Sequence, residues 1–430
     1  RLTYLYLKQH LMTPSKKTRI VIAGVGFGGV YTYKQLHKHF HKNKNVELVL
    51  INETNYFLFT PLLHEVATGS ISPENIIEPL RKVLRCCLSD IYIGSVKNVN
   101  TKKNIIETTQ GPLAYDYLVL ALGSQSHFFG TPGADEHAFT LKTLEDAITL
   151  KNHFITQIER ASKEHDAEKR KELLRCVIIG GGPTGVELAT ETADLFYGTF
   201  SKYYPKHLMD DVEILLIQKG EELVPMFPKK IRQKAKDILK KHHIKILFNT
   251  KVTGVTKNSI TTTHKKYPKI ATATPIWTAG VAPRQIPSTE DFAQNKKGCI
   301  IVRPTLQTMG NDSIFVLGDM AHCVDPKTKE PLPALAQVAV QQGKFVADNI
   351  AALIEKKPLT SLTYSSKGLL ISLGQWMAAG QIAGVQLSGR TIWWLWRSIY
   401  VSKLISWQKK LRVIVDWTIN LFSPRDISNY

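Results

Sequence analysis

Short runs of aliphatic and β-branched residues recur along the chain, each closed by glycine and followed by a stretch with helical spacing of its apolar positions. TRIVIAG begins at Thr18, VELVLIN runs from Val46 to Asn52, CVIIG begins at Cys176 and VEILLIQ runs from Val212 to Gln218. Apolar runs of this length, charged only near their first residue, read as strands buried on both faces, the pattern of parallel sheets covered by helices. Behind the first run, Tyr31, Gln35 and Leu36 fall on a helix reaching Phe40. The predicted fold class is therefore α/β, with strand, turn and helix in alternation.

Two of the turns carry chemistry. Gly24, Gly26 and Gly29 follow the first strand in GxGxxG register, with Phe27 and Gly28 between them, and Gly180, Gly182 and Gly185 repeat the device around Pro183 and Thr184. The first glycine permits the tight turn, the second lets backbone approach a pyrophosphate, and the third lets helix pack on strand, leaving the helix N-terminal amides aimed at the phosphates. One such turn is weak testimony; two, each completing a βαβ unit with VELVLIN or VEILLIQ, predict two bound dinucleotides.

At the end of the second strand an acid ordinarily holds the adenosine ribose. Both units depart from this, with Asn52 then Glu53 in the first and Gln218 then Lys219 in the second. A carboxylate would repel a 2′-phosphate, whereas Gln218 beside Lys219 would not, so NADPH is expected alongside NADH. The plainer alternative is that Gln218 only hydrogen-bonds the ribose of NADH. Downstream, SIFVLGDMAHC from Ser313 to Cys323 ends a strand in Gly318-Asp319, where the acid can bind flavin or ribose hydroxyls or cap the next helix. Two further strand-to-glycine breaks, at Ala121 and Gly123 and at Ala279 and Gly280, read as crossovers between domains.

Length sets the organisation: 430 residues exceed one ordinary core and predict two or three domains. Composition adds a formal net charge of +20, which suits an anionic lipid surface or a nucleic acid. No nucleic-acid motif accompanies the charge, so a lipid surface is expected and nucleic acid is not. The five cysteines, Cys86, Cys87, Cys176, Cys299 and Cys323, form no CxxC and no metal-ligand spacing, and they read as free thiols of a reducing compartment. No metal is expected. No stretch approaches the roughly 20 apolar residues of a spanning helix, which excludes a polytopic pump. The first residues, basic and broken by Lys8 and His10, read as an extension ahead of the domain.

The order of elements resembles the two-dinucleotide-binding-domain flavoproteins of glutathione-reductase type. That resemblance implies two Rossmann-like domains, with FAD, non-covalently held, in the first and NAD(P)H in the second. The FAD domain would be split by the inserted nucleotide domain. The expected division is 1–15 as extension, 16–140 as the leading stretch of the FAD domain, 141–280 as the NAD(P)H domain, 281–375 as the returning stretch of the FAD domain and 376–430 as a C-terminal membrane-association region.

NYFLFTPLLHEVATG, Asn55 to Gly69, holds no cysteine where disulfide reductases place their pair. Together with PLPALAQVAVQQG, Pro331 to Gly343, it resembles the type II NADH:quinone oxidoreductases, single-subunit respiratory enzymes that do not pump protons. The likeness runs from about Arg19 through the tail. By it, hydride would pass from NADH to FAD and two electrons on to a membrane quinone. Ala336, Gln337 and Gln341 would lie by the flavin and quinone, although two glutamines four apart also suit a solvated helix. Pro61 would pack near the isoalloxazine. Of Glu187 and Glu191, a helical turn apart, one would face the nicotinamide near the flavin, with Glu191 the choice for tuning proton or charge flow, although either also suits a helix-surface acid without a role. The resemblance also implies a homodimer formed through the tail. Rival readings are a flavin reductase with a soluble protein acceptor and a basic flavoprotein with a nucleic-acid or signalling role.

Five of the seven tryptophans lie in the tail, at Trp393, Trp394, Trp396, Trp407 and Trp417, among Arg390, Arg397, Lys403, Lys409, Lys410 and Arg412. Trp393, Trp396, Tyr400, Leu404, Trp407, Leu411 and Ile414 fall on one helical stripe flanked by cations. That is the pattern of an in-plane interfacial helix, although amphipathic helices more often pack inward. The expectation is a peripheral membrane protein docked through residues 389–422 on the cytoplasmic face of a bacterial inner membrane.

Overall fold

A computed structural model of the chain describes residues 17–84, 89–289 and 292–429. The extension 1–15 and the pair Cys86 and Cys87 lie outside these. The strands used below are β1 (Thr18–Ala23), β2 (Val46–Asn52), β3 (Ser89–Ile93), β4 (Tyr117–Leu120), β5 (Arg175–Ile179), β6 (Glu213–Ile217), β7 (Ile244–Leu247), β8 (Thr274–Trp277), β9 (Ile314–Val316), β10 (Leu369–Ser372), β11 (Ala378–Ile382) and β12 (Val385–Gly389). The helices are α1 (Phe27–Phe40), α2 (Leu63–Ala67), α3 (Pro183–Ala193), α4 (Lys229–Lys241), α5 (Ala336–Ile354), α6 (Arg390–Lys403) and α7 (Trp407–Phe422).

Two compact units divide the chain. The first comprises the chain up to Phe57, Glu78–Gln125 and Val281–Ser366; the second comprises Leu58–Ile77, Ser126–Gly280 and everything from Lys367 onward. The first unit is built on a five-stranded sheet in the order β9-β4-β1-β2-β3. All its pairings are parallel, and β1 and β2 run in register from Thr18 opposite Val46 to Ala23 opposite Ile51. Ile20, Val21, Ile22 and Ala23 are wholly buried, as strands covered on both faces require. Because β9 joins this sheet from beyond residue 280, the unit needs two separate stretches of chain. Helix α5 crosses α1 closely, since a Cβ on Gly343 would meet the Gly28 carbonyl oxygen.

The second unit carries a four-stranded parallel sheet, β7-β6-β5-β8, and an antiparallel meander, β10-β11-β12, that leads into α6 and α7. Helix α3 runs straight into a π-helical segment, Asp194–Thr199. The tail is not one amphipathic helix. It breaks at Leu404, whose extended conformation ends α6, and Ser406 caps α7 through the Lys409 amide. The single stripe expected from the sequence is therefore divided. Trp393, Trp396 and Leu404 are buried, while Trp407, Leu411 and Ile414 are exposed. Arg397 does not extend toward solvent either; its guanidinium lies 3.6 Å from the Trp393 ring centroid and 4.5 Å from that of Trp417.

Candidate functional site

Each glycine turn is forced by packing and leaves its helix open at the start. Gly24 has φ +93° and Gly180 φ +117°, left-handed backbone that favours glycine. A Cβ on Gly29 would overlap the Gly24 carbonyl oxygen, and one on Gly185 would overlap that of Gly180. By contrast, Gly26 and Gly182 face open space, and no side chain caps α1 or α3. Helix N-terminal amides without a capping side chain, reached across a glycine, are what an incoming diphosphate requires. The fit to a dinucleotide holds in each unit.

The strand-end amides serve these same turns. Asn52 Oδ1 accepts the Val25 N–H at 2.9 Å, and Gln218 Oε1 accepts the Gly181 N–H at 3.0 Å. Glu53, next after Asn52, is ion-paired with Arg284 at 2.5 Å. In the first unit Ala121 closes on Gly24, and Gly123 faces open space with φ +72°. Asp319 receives the Ser124 hydroxyl at 2.5 Å within a short 3-10 turn, Gly318–Met320. That turn is held by Gln342, buried on α5, whose Oε1 accepts the Gly318 N–H at 2.7 Å. Sequence reasoning misses Gln342, because the helical spacing that marks Gln337 and Gln341 passes over it. Gln341 has both amide ends on the Ser365 backbone, at 2.9 and 3.2 Å. Ala336 opens α5, and Gln337 is half-buried one turn before Gln341.

In the second unit, Ala279 closes on Gly180 and Gly280 on the Phe129 ring. Lys219 is exposed, as is Thr184, while Pro183 opens α3. Pro61 lies in the short 3-10 helix Thr60–Leu62 that precedes α2.

Glu187 and Glu191 belong to a buried ionic cluster that no spacing in the sequence announced. Glu191 pairs with Arg425 at 2.8 Å and accepts the Ser70 hydroxyl at 3.1 Å. Burial alone would raise its pKa, but Arg425, then His64 and Ser70, hold it below the ordinary carboxylate value. Glu187 accepts the Ser372 amide at 3.2 Å, and burial pushes it up to about 8. Glu65, on α2, accepts the Trp417 indole N–H at 2.5 Å and is raised to about 7 by burial and by Glu191. Asp194 is likewise raised to about 7, chiefly by burial and then by Glu191. Burial lowers His64 to about 4, so it stands neutral 3.9 Å from Glu187. Near neutrality the cluster holds Glu191 ionised against Arg425 and Glu187 protonated.

Beside the cluster lies a polar cavity of about 130 Å³, lined by Ser70, Asp194, Lys202, Arg397 and Arg425 among others. It is smaller than the roughly 300–1,000 Å³ of ordinary cofactor pockets. Cys176 and Cys323 are buried free thiols, and burial pushes Cys176 up to about 12. Neither is a reactive thiolate. Among the described residues no group of three or more His, Cys, Asp or Glu could hold a metal ion, and no helix is long and apolar enough to cross a membrane.

Comparison with known proteins agrees with this geometry. Residues 18–343 match the family described as pyridine nucleotide-disulphide oxidoreductase, and residues 366–426 match the NDH2 C-terminal domain. A type II NADH:quinone oxidoreductase of Mycobacterium tuberculosis is 30% identical over 96% of this chain and 90% of its own. An external alternative NAD(P)H-ubiquinone oxidoreductase of Arabidopsis thaliana mitochondria is 28% identical over 97% of this chain and 90% of its own. A solved structure of NDH2 from Plasmodium falciparum in complex with NADH superposes with a TM-score of 0.88 at 22% identity, covering 96% of this chain and all of that one.

Proposed function

The chain belongs to the type II NADH:quinone oxidoreductases, and from that premise we propose that it is a respiratory flavoenzyme that oxidises NADH and reduces a membrane quinone without moving protons across the bilayer. The observation that carries this reading is the pair of open glycine-turn helices, one in each unit of a single chain. With FAD and a reduced nicotinamide bound, the chemistry is hydride uptake by the flavin and delivery of two electrons to the quinone.

The protein's own contribution is binding, orientation and proton placement. Gly24, Gly26, Phe27, Gly28 and Gly29 form the diphosphate cradle of the first unit, Asn52 steadies it, and Ser124 with Gln342 fixes Asp319 for a flavin hydroxyl. Gly180, Gly182, Pro183, Thr184 and Gly185 do the same for NADH in the second unit, with Gln218 at the ribose. Gln337 and Gln341 are the quinone-side amides, with Gln341 held by Ser365. Glu187 carries a proton on its carboxyl at neutral pH, and Glu191 supplies a fixed negative charge.

Docking is assigned to an anionic phospholipid surface. Leu411, Ile414, Val415, Ile419 and Phe422 are exposed at helical spacing along α7, with Trp407 before them and Trp394 and Leu395 exposed on α6. An outward apolar stripe of this kind on a basic chain suits an interfacial helix lying in the plane of the membrane. The chain is then a peripheral protein of the cytoplasmic face of a bacterial inner membrane, where NADH is produced, and pairs as a homodimer through the tail. Purified protein should be yellow, bleach on addition of NADH, and recover its flavin spectrum on addition of a quinone. A colourless protein that takes up no FAD overturns the reading, and reoxidation by soluble protein acceptors but not by long-chain quinones would replace it with a soluble reductase.

A further inference from the structure

The loop between β6 and α4 carries a charge pair beside the position where a dinucleotide fold receives the adenosine ribose. Gln218 has both ends of its amide engaged: Oε1 accepts Gly181 N–H at 3.0 Å, and Nε2 donates to the Glu222 carbonyl at 2.9 Å. That second bond sets the Glu222 backbone beside the Gln218 amide, at the strand end where such a fold receives the ribose. The Glu222 carboxylate is ion-paired with Arg232, in the first turn of α4, and Arg232 Nε is buried with no hydrogen-bond partner among the described residues. Lys219 stands exposed in the same loop. Glu222 is the acid nearest in sequence to Gln218 whose backbone is tied to it by a bond, and its charge is cancelled by a guanidinium that has a donor to spare.

We propose that the Glu222–Arg232 pair is the element by which this chain discriminates a 2′-phosphorylated dinucleotide from a plain one, an inference that rests on the nucleotide-binding role of the second glycine turn. With a plain ribose the pair stays closed and Gln218 offers its remaining N–H to a hydroxyl. With a 2′-phosphate, Arg232 exchanges Glu222 for the phosphate, using a guanidinium edge that suits phosphate oxygens, and Lys219 adds a second cation. The exchange is feasible because the pair given up is poorly buried, Glu222 being 47% exposed, and such pairs hold weakly. Glu222 is thus the restraint on 2′-phosphate binding and Arg232 its ligand.

The test uses the full chain with its flavin, titrated calorimetrically with 2′,5′-ADP and with ADP, and assayed for kcat/KM with NADPH and NADH. Glu222→Gln removes the competing carboxylate and should tighten 2′,5′-ADP about tenfold while raising the NADPH-to-NADH ratio of kcat/KM by a similar factor. Arg232→Gln should weaken 2′,5′-ADP about tenfold more than it weakens ADP. Parallel changes for both ligands, or an unmoved 2′,5′-ADP affinity in Glu222→Gln, overturn the inference. Should Arg232→Gln fail to fold, Glu222→Gln, a change at a surface carboxylate, still decides. A chain that binds neither ADP nor NADH overturns instead the nucleotide reading beneath it.

Discussion

Replacing Arg425 with Met should destabilise the second unit far more than the loss of a terminal side chain suggests. Arg425 is about 90% buried, its guanidinium lies 2.8 Å from Glu191 Oε2, and it also donates to the Glu191 and Thr68 carbonyl oxygens at 3.3 and 3.4 Å. Methionine fills similar volume but leaves Glu191, 5% exposed, as a buried carboxylate without its counter-ion. Removing one partner of a buried pair costs about 3–5 kcal/mol, because the remaining charge has lost both water and partner. For a unit of this size that is on the order of 10 °C in Tm.

The assay is thermal and urea unfolding of the holoenzyme carrying Arg425→Met, Glu191→Gln and both changes together. The double variant should recover much of the loss, since no orphan charge remains. The pH dependence fixes the sign. Glu191 has a folded pKa below its unfolded value, so the pair's contribution is fully present above the unfolded value and is lost as pH falls through the folded one. The deficit of Arg425→Met should therefore be largest near neutrality and shrink on acidification. A deficit below about 1 kcal/mol at pH 7, the level of an exposed ion pair, or one that does not change with pH, refutes the reasoning.

Glu187, held up to about 8 by burial, should show a protonated-carboxyl infrared band at pH 7 that fades above pH 8 and is absent in Glu187→Gln; its absence at pH 7 in the unaltered chain contradicts the assignment. Because the folded pKa lies above the unfolded one, Glu187 stays protonated in the folded chain while the unfolded chain ionises, so stability falls as pH rises from about 4.5 to 8, by on the order of 1 kcal/mol per pH unit. Glu65 and Asp194 act in the same direction up to about 7, and a urea midpoint that climbs over that window refutes the protonation states assigned to the cluster. Leu411→Ser, Ile414→Ser and Ile419→Ser, all at exposed positions of α7, should each weaken binding to anionic vesicles by roughly 1 kcal/mol in co-flotation while leaving Tm unmoved. Ending the chain at Gly389 would not give a clean soluble enzyme, because it removes the buried Trp393, Trp396, Val413 and Trp417; the truncated chain should aggregate or melt early in a thermal scan. Cys176 should resist thiol reagents until the protein unfolds, whereas the half-buried Cys299 reacts before the buried Cys176 and Cys323, as mass mapping of these three sites would reveal.

The features of this molecule that could be read from its sequence are those whose physics is local in the chain. A parallel strand buried on both faces needs an apolar run, and the turn after it needs glycine, so β1, β2, β5 and β6 appear in the sequence almost at their observed ends. Val46–Asn52 is a strand over the very residues of its apolar run. The role of the strand-end amides was harder to read. From sequence alone Asn52 and Gln218 mark the absence of a ribose-binding acid and Gln218 a group for the ribose itself, whereas folded they accept N–H groups of their own glycine turns. An amide, able to accept and donate at once, does what a carboxylate would do less well there.

The tail shows why the remainder stayed hidden. A helical projection assumes one continuous helix, and on that assumption Trp393, Trp396, Leu404, Trp407 and Leu411 share a face. The break at Leu404 restarts the count at Ser406, so the stripe divides, with Trp393, Trp396 and Leu404 packed inward and Trp407 and Leu411 facing outward. The buried cluster was invisible for a related reason. His64 and Glu65 lie more than a hundred residues from Glu187 and Glu191, and Arg397, Trp417 and Arg425 lie about two hundred further on. No periodicity links them, and each alone reads as a surface charge or an amphipathic aromatic. What joins them is the cost of leaving a buried carboxylate without a partner, a constraint of the folded state only. The tail of this chain is therefore the counter-ion of α3 as well as the proposed membrane contact, and substitutions meant to probe one role must be chosen by the face on which each residue sits.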